Sequence, residues 1–245
     1  MQNVPLILSG QAWRSFALAM LLLFACRNGE TQTLHESKLV IVLIDQTDSF
    51  GSDAERGVAQ TLYWDEALKK VKTVVNALRA KDEFIVLAIN DRGFVDENIL
   101  IKLQQFNRSA LKARIETRTL GEEVLKLKRE ERCYSRTDIT GSLRHAAHIA
   151  AREKLPKTVV ICFSDMIQEP ALPKLSEVAD LHFPAKTKGY FYFVDASGFE
   201  RWNQVLQAWV PLLQHAGMDI DDSETPNFFQ YGETDRALQR MLKEW

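Results

Sequence analysis

The chain has 245 residues, of which 46% are hydrophobic and 26% charged, a composition typical of a globular protein with one sizeable core. Its net charge is −2 and its basic residues are spread along the sequence, which predicts no nucleic-acid partner. The charged run at residues 126–132 mixes both signs and predicts a solvated helix face.

The N-terminal 25 residues have the pattern of a secretory signal. An apolar segment follows Arg14 and ends at Cys26, and it is too short to cross the ~30 Å hydrocarbon core of a bilayer. Its last four residues, Leu-Phe-Ala-Cys, resemble the bacterial lipobox. The resemblance implies cleavage before Cys26, lipidation of that cysteine, and a tether at residues 26–37. A plain signal or an uncleaved apolar anchor are the alternatives.

The residue after the cysteine, Arg27, favours the outer over the inner membrane in similar lipoproteins. The expected location is therefore the bacterial cell envelope, with the protein lipid-anchored on the periplasmic face of the outer membrane.

The first strand is predicted at residues 39–44, an unbroken apolar run of the kind that is buried on both faces of a parallel sheet. Asp45, Thr47 and Ser49 follow it, at the end of a strand where open α/β sheets bind ligands. A simpler interpretation is a polar turn that caps the next helix.

Strands and helices alternate along the rest of the chain, which predicts a doubly wound, mostly parallel α/β sheet with helices on both faces. Further strands are predicted at residues 84–89, 99–106, 158–164, 188–194 and 227–231. Helices are predicted at residues 65–80, at 109–131 with Leu111, Ile115, Val124 and Leu127 facing inward, from 137, at 199–215, and from 234.

Two more oxygen-bearing residues belong to the same predicted edge of the sheet. Thr137 opens a helix, and Asp165 ends the strand at residues 158–164. Carboxylates and hydroxyls without histidine or cysteine select a hard cation such as Mg²⁺.

These residues resemble the metal-ion-dependent adhesion site of the von Willebrand factor type A (VWA) domain family. Asp45-Gln46-Thr47-Asp48-Ser49 is similar to its Asp-x-Ser-x-Ser element, the segment around Thr137 to its threonine loop, and Phe163-Ser164-Asp165-Met166 to its Leu-Thr-Asp-Gly element. The sequence departs from the family pattern at Ser135-Arg136 and at Met166, where glycines are usual.

The resemblance implies a Rossmann-like VWA domain at residues 38–218, with residues 219–245 as an extension packed on it or continuing it. It implies that Mg²⁺ or Mn²⁺ binds to Asp45, Thr47, Ser49, Thr137 and Asp165. It further implies that a partner protein supplies a Glu or Asp to the metal, so the chain is a binding module and not an enzyme.

Three other interpretations stay open. The first is a metal-dependent phosphohydrolase, although Thr47 stands where that class needs a second aspartate. The second is a structural lipoprotein without metal. The third is a zinc site at His145 and His148, which are expected to be solvated because both should point away from the inner face of their helix. Cys162 is expected to be a buried thiol, with a disulfide to Cys133 as the alternative.

Overall fold

The computed structural model describes residues 35–47, 50, 61–129, 134, 136–194, 199–220 and 227–245. Ser37–Trp245 forms one compact unit that contains all the strands and helices given below. The predicted signal and most of the tether, including Cys26, lie outside the described residues, as does Cys133. Within the described ranges, no helix is both long enough and apolar enough to cross a membrane.

The strands form one mixed sheet. They are β1 (Lys38–Asp45), β2 (Glu83–Ile89), β3 (Ile99–Gln105), β4 (Lys157–Phe163), β5 (Thr187–Tyr192), β6 (Met218–Asp219) and β7 (Phe228–Phe229). Their order is β3-β2-β1-β4-β5-β6, and β7 also pairs with β5. Only the β2–β3 pairing is antiparallel among these strands. The predicted mostly parallel α/β sheet is therefore confirmed.

The parallel strands begin on one side of the sheet and end on the other. We call the edge where the parallel strands begin the amino edge, and the edge where they end the carboxyl edge. The connection after β1 leads to β2 on one side, whereas the connection after β4 leads to β5 on the other side, so the direction of the connections reverses between β1 and β4. Such a switch point is where open α/β sheets form their ligand crevice.

Within the described residues, five α-helices cover the sheet. They are α1 (Thr61–Ala77), α2 (Ala110–Val124), α3 (Ile139–Glu153), α4 (Phe199–His215) and α5 (Thr234–Lys243). One hydrophobic core contains residues from α3 and α4, and the other contains residues from α1, α2 and α5. Each core therefore fills the space between one face of the sheet and its own set of helices.

The first strand joins the two cores. Leu39, Ile41 and Leu43 belong to the core under α3 and α4, whereas Val40, Val42 and Ile44 belong to the opposite core. All six side chains are completely buried. The apolar run without alternation thus has the predicted cause, which is burial on both faces.

The predicted inner face of the second helix is partly wrong. Leu111 and Ile115 are 72% and 60% exposed, whereas Ala113, Thr117, Leu120, Gly121 and Val124 are buried. The helix also ends at Val124, so residues 126–129 do not form the solvated helix face that their mixed charges predict. The inner face combines Leu120 and the predicted Val124 with small residues. Gly121 allows α2 to pack closely against α1, because a Cβ there would press against Asn76 and Lys72.

The C-terminal residues complete one side of the sheet. Phe228 and Phe229 pair with Phe191 and Tyr192 of β5, and α5 packs into the core that contains α1. Residues 227–245 thus belong to the same compact unit as β1–β5.

Candidate functional site

The first candidate ligand, Asp45, is the last residue of β1 and is completely buried. Its Oδ1 atom accepts hydrogen bonds from the backbone amide of Thr47 at 2.8 Å and from the Thr47 hydroxyl at 2.6 Å. Its Oδ2 atom accepts a hydrogen bond from the Ser164 hydroxyl at 2.6 Å. Burial raises the pKa of Asp45, while the hydrogen bonds from Ser164 and Thr47 and the charge of Arg129 oppose that rise. Asp45 is therefore a buried carboxylate held in place by two hydroxyl groups.

The segment after β4 carries the second carboxylate, Asp165. Its Oδ1 atom accepts a hydrogen bond from the Ile167 amide at 2.9 Å, and the Met166 amide donates to the Ser164 hydroxyl oxygen at 3.0 Å. Met166 has a φ of +61°, and its carbonyl accepts a hydrogen bond from the Trp209 indole nitrogen at 2.8 Å. The backbone thus adopts at Met166 the conformation that glycine favours, so this departure from the family pattern is accommodated by tertiary packing.

Thr137 lies on the loop that precedes α3, and this loop contacts the segments that follow β2 and β4. The Thr137 side chain is buried, and its carbonyl accepts a hydrogen bond from the Glu169 amide at 3.2 Å. The next residue, Asp138, donates its amide to the carbonyl of Asn90, which follows β2. Asp138 also caps α3 by accepting a hydrogen bond from the Gly141 amide at 2.8 Å. These contacts fix Thr137 beside the segment that carries Asp165.

Four of the five predicted ligands are described, and all four belong to the carboxyl edge. Asp45 ends β1 and Thr47 follows it, Asp165 follows β4, and Thr137 precedes α3. The fifth, Ser49, lies outside the described residues. The positions of the four relative to the sheet are those that the sequence predicts, and their coordination of a metal stays a prediction.

Cys162 lies near the carboxyl end of β4. It is a free, completely buried cysteine in β4. Burial is the largest cause that raises the pKa of its thiol, and the negative charges of Asp45 and Asp165 raise it further. Cys162 is thus a buried thiol, as the sequence predicts.

Arg129 is a site residue that the sequence did not reveal. Its Nη2 atom donates hydrogen bonds to the Gln46 carbonyl at 3.0 Å and the Thr47 carbonyl at 2.6 Å. Its charge also opposes the raised pKa of Asp45. The guanidinium thus links the segment after α2 to the loop after β1. Arg129 and Thr47 are 82 residues apart in the sequence. No local periodicity could have indicated this contact.

The two histidines of α3 do not share one environment. His145 is buried, with its ring centroid 4.9 Å from that of Phe94 and its Nε2 atom 3.7 Å from a carboxylate oxygen of Asp96. Burial lowers the pKa of His145. His148 is exposed, so the prediction that both point outward is wrong for His145. The buried position arises because Phe94 covers this part of α3.

The chemistry of the donors suits a hard cation. Asp45 and Asp165 offer carboxylate oxygens, and Thr47 and Thr137 offer hydroxyls, which are ligands of the kind that Mg²⁺ and Mn²⁺ accept. Within the described ranges, no three His, Cys, Asp or Glu side chains form a metal-binding group. A site with two carboxylates completed by hydroxyl oxygens does not require such a group, so the residues present fit the cation.

No family model and no curated protein matches the chain. Solved structures do match it. The manganese-loaded TRAP protein of Plasmodium vivax is 15% identical with a TM-score of 0.50, and the match covers 83% of this chain and 71% of that one. A von Willebrand factor type A protein from Catenulispora acidiphila is 13% identical with a TM-score of 0.52, and the match covers 84% of this chain and 42% of that one.

The pilus adhesin SpaC of Lactobacillus rhamnosus GG is 10% identical with a TM-score of 0.53, and the match covers 87% of this chain and 30% of that one. This chain thus spans less than half the length of the second and third of these proteins. At such identities the likeness shows the fold alone. Together with the sheet order and the position of Asp45, it shows that the chain has a von Willebrand factor type A-like fold.

Proposed function

We propose that this chain is a cation-dependent protein-binding module. The observation that carries the proposal is the buried carboxylate of Asp45 at the switch point of the sheet, in hydrogen-bonding contact with the hydroxyls of Thr47 and Ser164. A buried carboxylate is costly unless positive charge or strong hydrogen bonds offset its loss of solvation. A divalent cation at this edge would supply that charge for Asp45 and Asp165 together.

The proposed ligands divide into two kinds. Asp45 and Asp165 supply the negative charge, and Thr47, Ser49 and Thr137 supply neutral oxygens. When bound, the cation would offer a coordination position to an acidic side chain of a partner protein, as the VWA resemblance implies. The manganese-loaded TRAP protein and the SpaC adhesin, which share the fold, are consistent with a binding role for this one. A role in binding, not in catalysis, is thus the simplest use of the site.

The location proposed for the module is the bacterial cell envelope. The apolar N-terminal segment and Cys26 support a lipid anchor, with the periplasmic face of the outer membrane as the proposed site. The Cys26→Ser variant should lose labelling by a radioactive fatty acid. Persistent labelling of that variant would remove the lipoprotein part of the proposal.

Titration calorimetry with Mg²⁺ and Mn²⁺ tests the cation site directly. The full chain should bind one cation, and its melting temperature should rise with metal concentration because the ion binds the folded state. Asp45→Asn keeps the shape of the side chain and one acceptor oxygen, and it should abolish the response. Asp180→Asn is the matched control, since Asp180 is an exposed carboxylate paired with Arg144. An Asp45→Asn protein that responds like the unmodified chain would place the cation elsewhere.

Thr137→Ala tests the contact with a partner. Association with a purified partner protein should fall more than tenfold, since loss of a charge-assisted contact at an interface centre costs ~2–5 kcal/mol. EDTA should have the same effect. Thr119→Ala is the control, because Thr119 is an exposed threonine on α2. Metal-dependent phosphoester hydrolysis that is lost in Asp45→Asn would instead make the chain an enzyme.

One observation favours a second candidate function, a structural scaffold without bound metal. Arg129 already brings a positive charge close to Asp45 and holds the carbonyls of Gln46 and Thr47. If Arg129 alone satisfies the site, Arg129→Gln should destabilise the fold and no divalent cation should restore it. If the site is cation-dependent, Mg²⁺ or Mn²⁺ should restore much of the stability that Arg129→Gln loses.

A further inference from the structure

Met166 has a backbone conformation that residues other than glycine seldom adopt. Its φ is +61°, in the left-handed region where a side chain crowds its own backbone. It is completely buried and stands between Asp165, a candidate cation ligand, and Ile167. Such a conformation persists only where contacts with the surrounding structure hold it. The contacts of Met166 therefore bear on the geometry of the candidate site.

The backbone at Met166 orients both carboxylates of the candidate site. The Met166 amide donates a hydrogen bond to the Ser164 hydroxyl oxygen at 3.0 Å, and that hydroxyl donates to Asp45 Oδ2 at 2.6 Å. The amide of Ile167 donates to Asp165 Oδ1 at 2.9 Å. Rotation of the backbone at Met166 would redirect both amides. The orientations of Asp45 and Asp165 thus depend on one backbone conformation.

A hydrogen bond from α4 holds the peptide group that follows Met166. The indole nitrogen of Trp209 donates to the Met166 carbonyl at 2.8 Å, and both side chains are completely buried. That carbonyl and the Ile167 amide belong to the same planar peptide group and point in opposite directions. One side of this group is therefore held by Trp209, while the other side donates to the Asp165 carboxylate.

Trp209 is a fixed donor because its helix is anchored by other residues. Val205, Leu212 and Leu213 of α4 are buried in the same core as Trp209. They keep α4 in place whatever the conformation of Met166. A buried carbonyl that loses its donor costs free energy, so the backbone is most stable where the Met166 carbonyl meets the indole.

We propose that Trp209 is a positioning residue for Asp165, because it sets the peptide group whose amide orients the Asp165 carboxylate. The consequence for cation affinity rests on the proposed function, whereas the consequence for the loop does not. The competing interpretation is that Trp209 only fills the core and places its indole N–H on the nearest carbonyl. The two interpretations predict different behaviour of the Ile167 amide.

Amide hydrogen exchange of the full chain, resolved residue by residue with nuclear magnetic resonance, tests the proposal without a cation. Trp209→Phe leaves the Met166 carbonyl buried without its donor, so exchange of the Ile167 amide should accelerate at least about fivefold. The acceleration should exceed that of the amides of residues 159–163 in β4, which report opening of the sheet.

Two further variants make the test specific. Val205→Ala removes buried volume from the same helix and keeps the hydrogen bond, so Ile167 should accelerate no more than the β4 amides do. Trp209→Phe/Met166→Gly should slow Ile167 exchange again, since glycine adopts a φ of +61° without steric conflict. Met166→Gly also removes a buried side chain and lowers the melting temperature. Slower exchange in a less stable protein would therefore not come from better packing.

Two exchange results would overturn the proposal. One is an acceleration of Ile167 in Trp209→Phe that does not exceed that of the β4 amides, which would leave Trp209 as a core residue only. The other is exchange in Trp209→Phe/Met166→Gly that stays as fast as in Trp209→Phe, since the hydrogen bond would then not act through Met166. Should the double variant not fold, the comparison of Trp209→Phe with Val205→Ala decides.

Titration calorimetry with Mn²⁺ separates this proposal from the cation site itself. If the unmodified chain binds Mn²⁺, Trp209→Phe should weaken binding at least about fivefold, and Met166→Gly in that variant should restore most of the affinity. Unchanged affinity in Trp209→Phe would overturn the positioning role. An unmodified chain that binds no Mn²⁺ would refute the cation site, and the exchange of Ile167 would still decide the role of Trp209.

Discussion

Removal of Asp82 should destabilise the domain strongly, because it leaves a buried lysine without its partner. The Nζ atom of Lys38 lies 2.9 Å from the Asp82 carboxylate, and the two side chains are 5% and 0% exposed. Asp82 also accepts hydrogen bonds from the backbone amides of Lys38 at 3.1 Å and Arg79 at 2.9 Å. Burial lowers the pKa of Lys38, while Asp82 raises it, so the aspartate is what favours the charged amine.

The size of the effect follows from this burial. Breaking a buried ion pair from one side costs ~3–5 kcal/mol, because the remaining charge is left without a partner. For a domain of this size, 1 kcal/mol lowers the melting temperature by about 2–4 °C, so Asp82→Ala should lower it by roughly 6–20 °C. Urea unfolding followed by circular dichroism gives the free energy, and a thermal scan gives the melting temperature.

Two further variants make the test specific. Lys38→Met/Asp82→Asn removes both charges and keeps one acceptor oxygen, which can serve the Lys38 amide or the Arg79 amide but not both. It should therefore recover part of the lost stability. Asp180→Ala breaks the exposed ion pair with Arg144 and should cost no more than ~1 kcal/mol. A loss below 1 kcal/mol in Asp82→Ala, or a double variant no more stable than the single one, would refute the reasoning.

Two more predictions concern α3. His145 has a lowered pKa when folded, so its contribution to stability should be complete above the unfolded pKa of ~6.5 and be lost as the pH falls through the folded value. His145→Gln should flatten this part of the stability–pH curve, whereas His148→Gln, at an exposed position, should leave it unchanged. A methyl group on Gly141 would lie 2.8 Å from the Gly93 Cα and collide with the Asp138 carboxylate, so Gly141→Ala should cost ~1–3 kcal/mol in urea unfolding. Gly232→Ala meets open space and should cost far less; equal losses would contradict this packing argument.

The sheet could be predicted because its central strands are recognisable from their own runs of apolar residues. A strand buried on both faces must be apolar at consecutive positions, and β1 and β4 have this pattern over almost their whole length. The positions of Asp45 and Asp165 follow from it, since each is the first carboxylate after such a run. The fold class and the edge that carries the candidate site were thus available from the sequence.

Helix α2 shows where the same reasoning fails. Leu111 and Ile115 are four residues apart and suggest an inner face, yet both are exposed. Besides Leu120 and the predicted Val124, the true inner face uses Ala113, Thr117 and Gly121, whose small side chains add little to the hydrophobic periodicity. Periodicity identifies apolar residues on one side of a helix, but it cannot show whether that side contacts the sheet, a neighbouring helix or something outside the domain.

The two proposed functions differ in what supplies positive charge to Asp45, a divalent cation in the binding module or Arg129 alone in the scaffold. The role of Arg129 depends on contacts between segments that are distant in the sequence. Arg129 reaches the loop after β1 from the connection that follows α2, and it bonds two carbonyls there. Those bonds hold the backbone that carries Thr47, so Arg129 can shape a cation site without occupying it. The guanidinium lies against carbonyl oxygens, and the Asp45 oxygens bond to hydroxyls and an amide. A divalent ion and Arg129 would therefore act on different oxygens of the same loop, which is why stability restored by metal in Arg129→Gln distinguishes a cation-binding module from a scaffold.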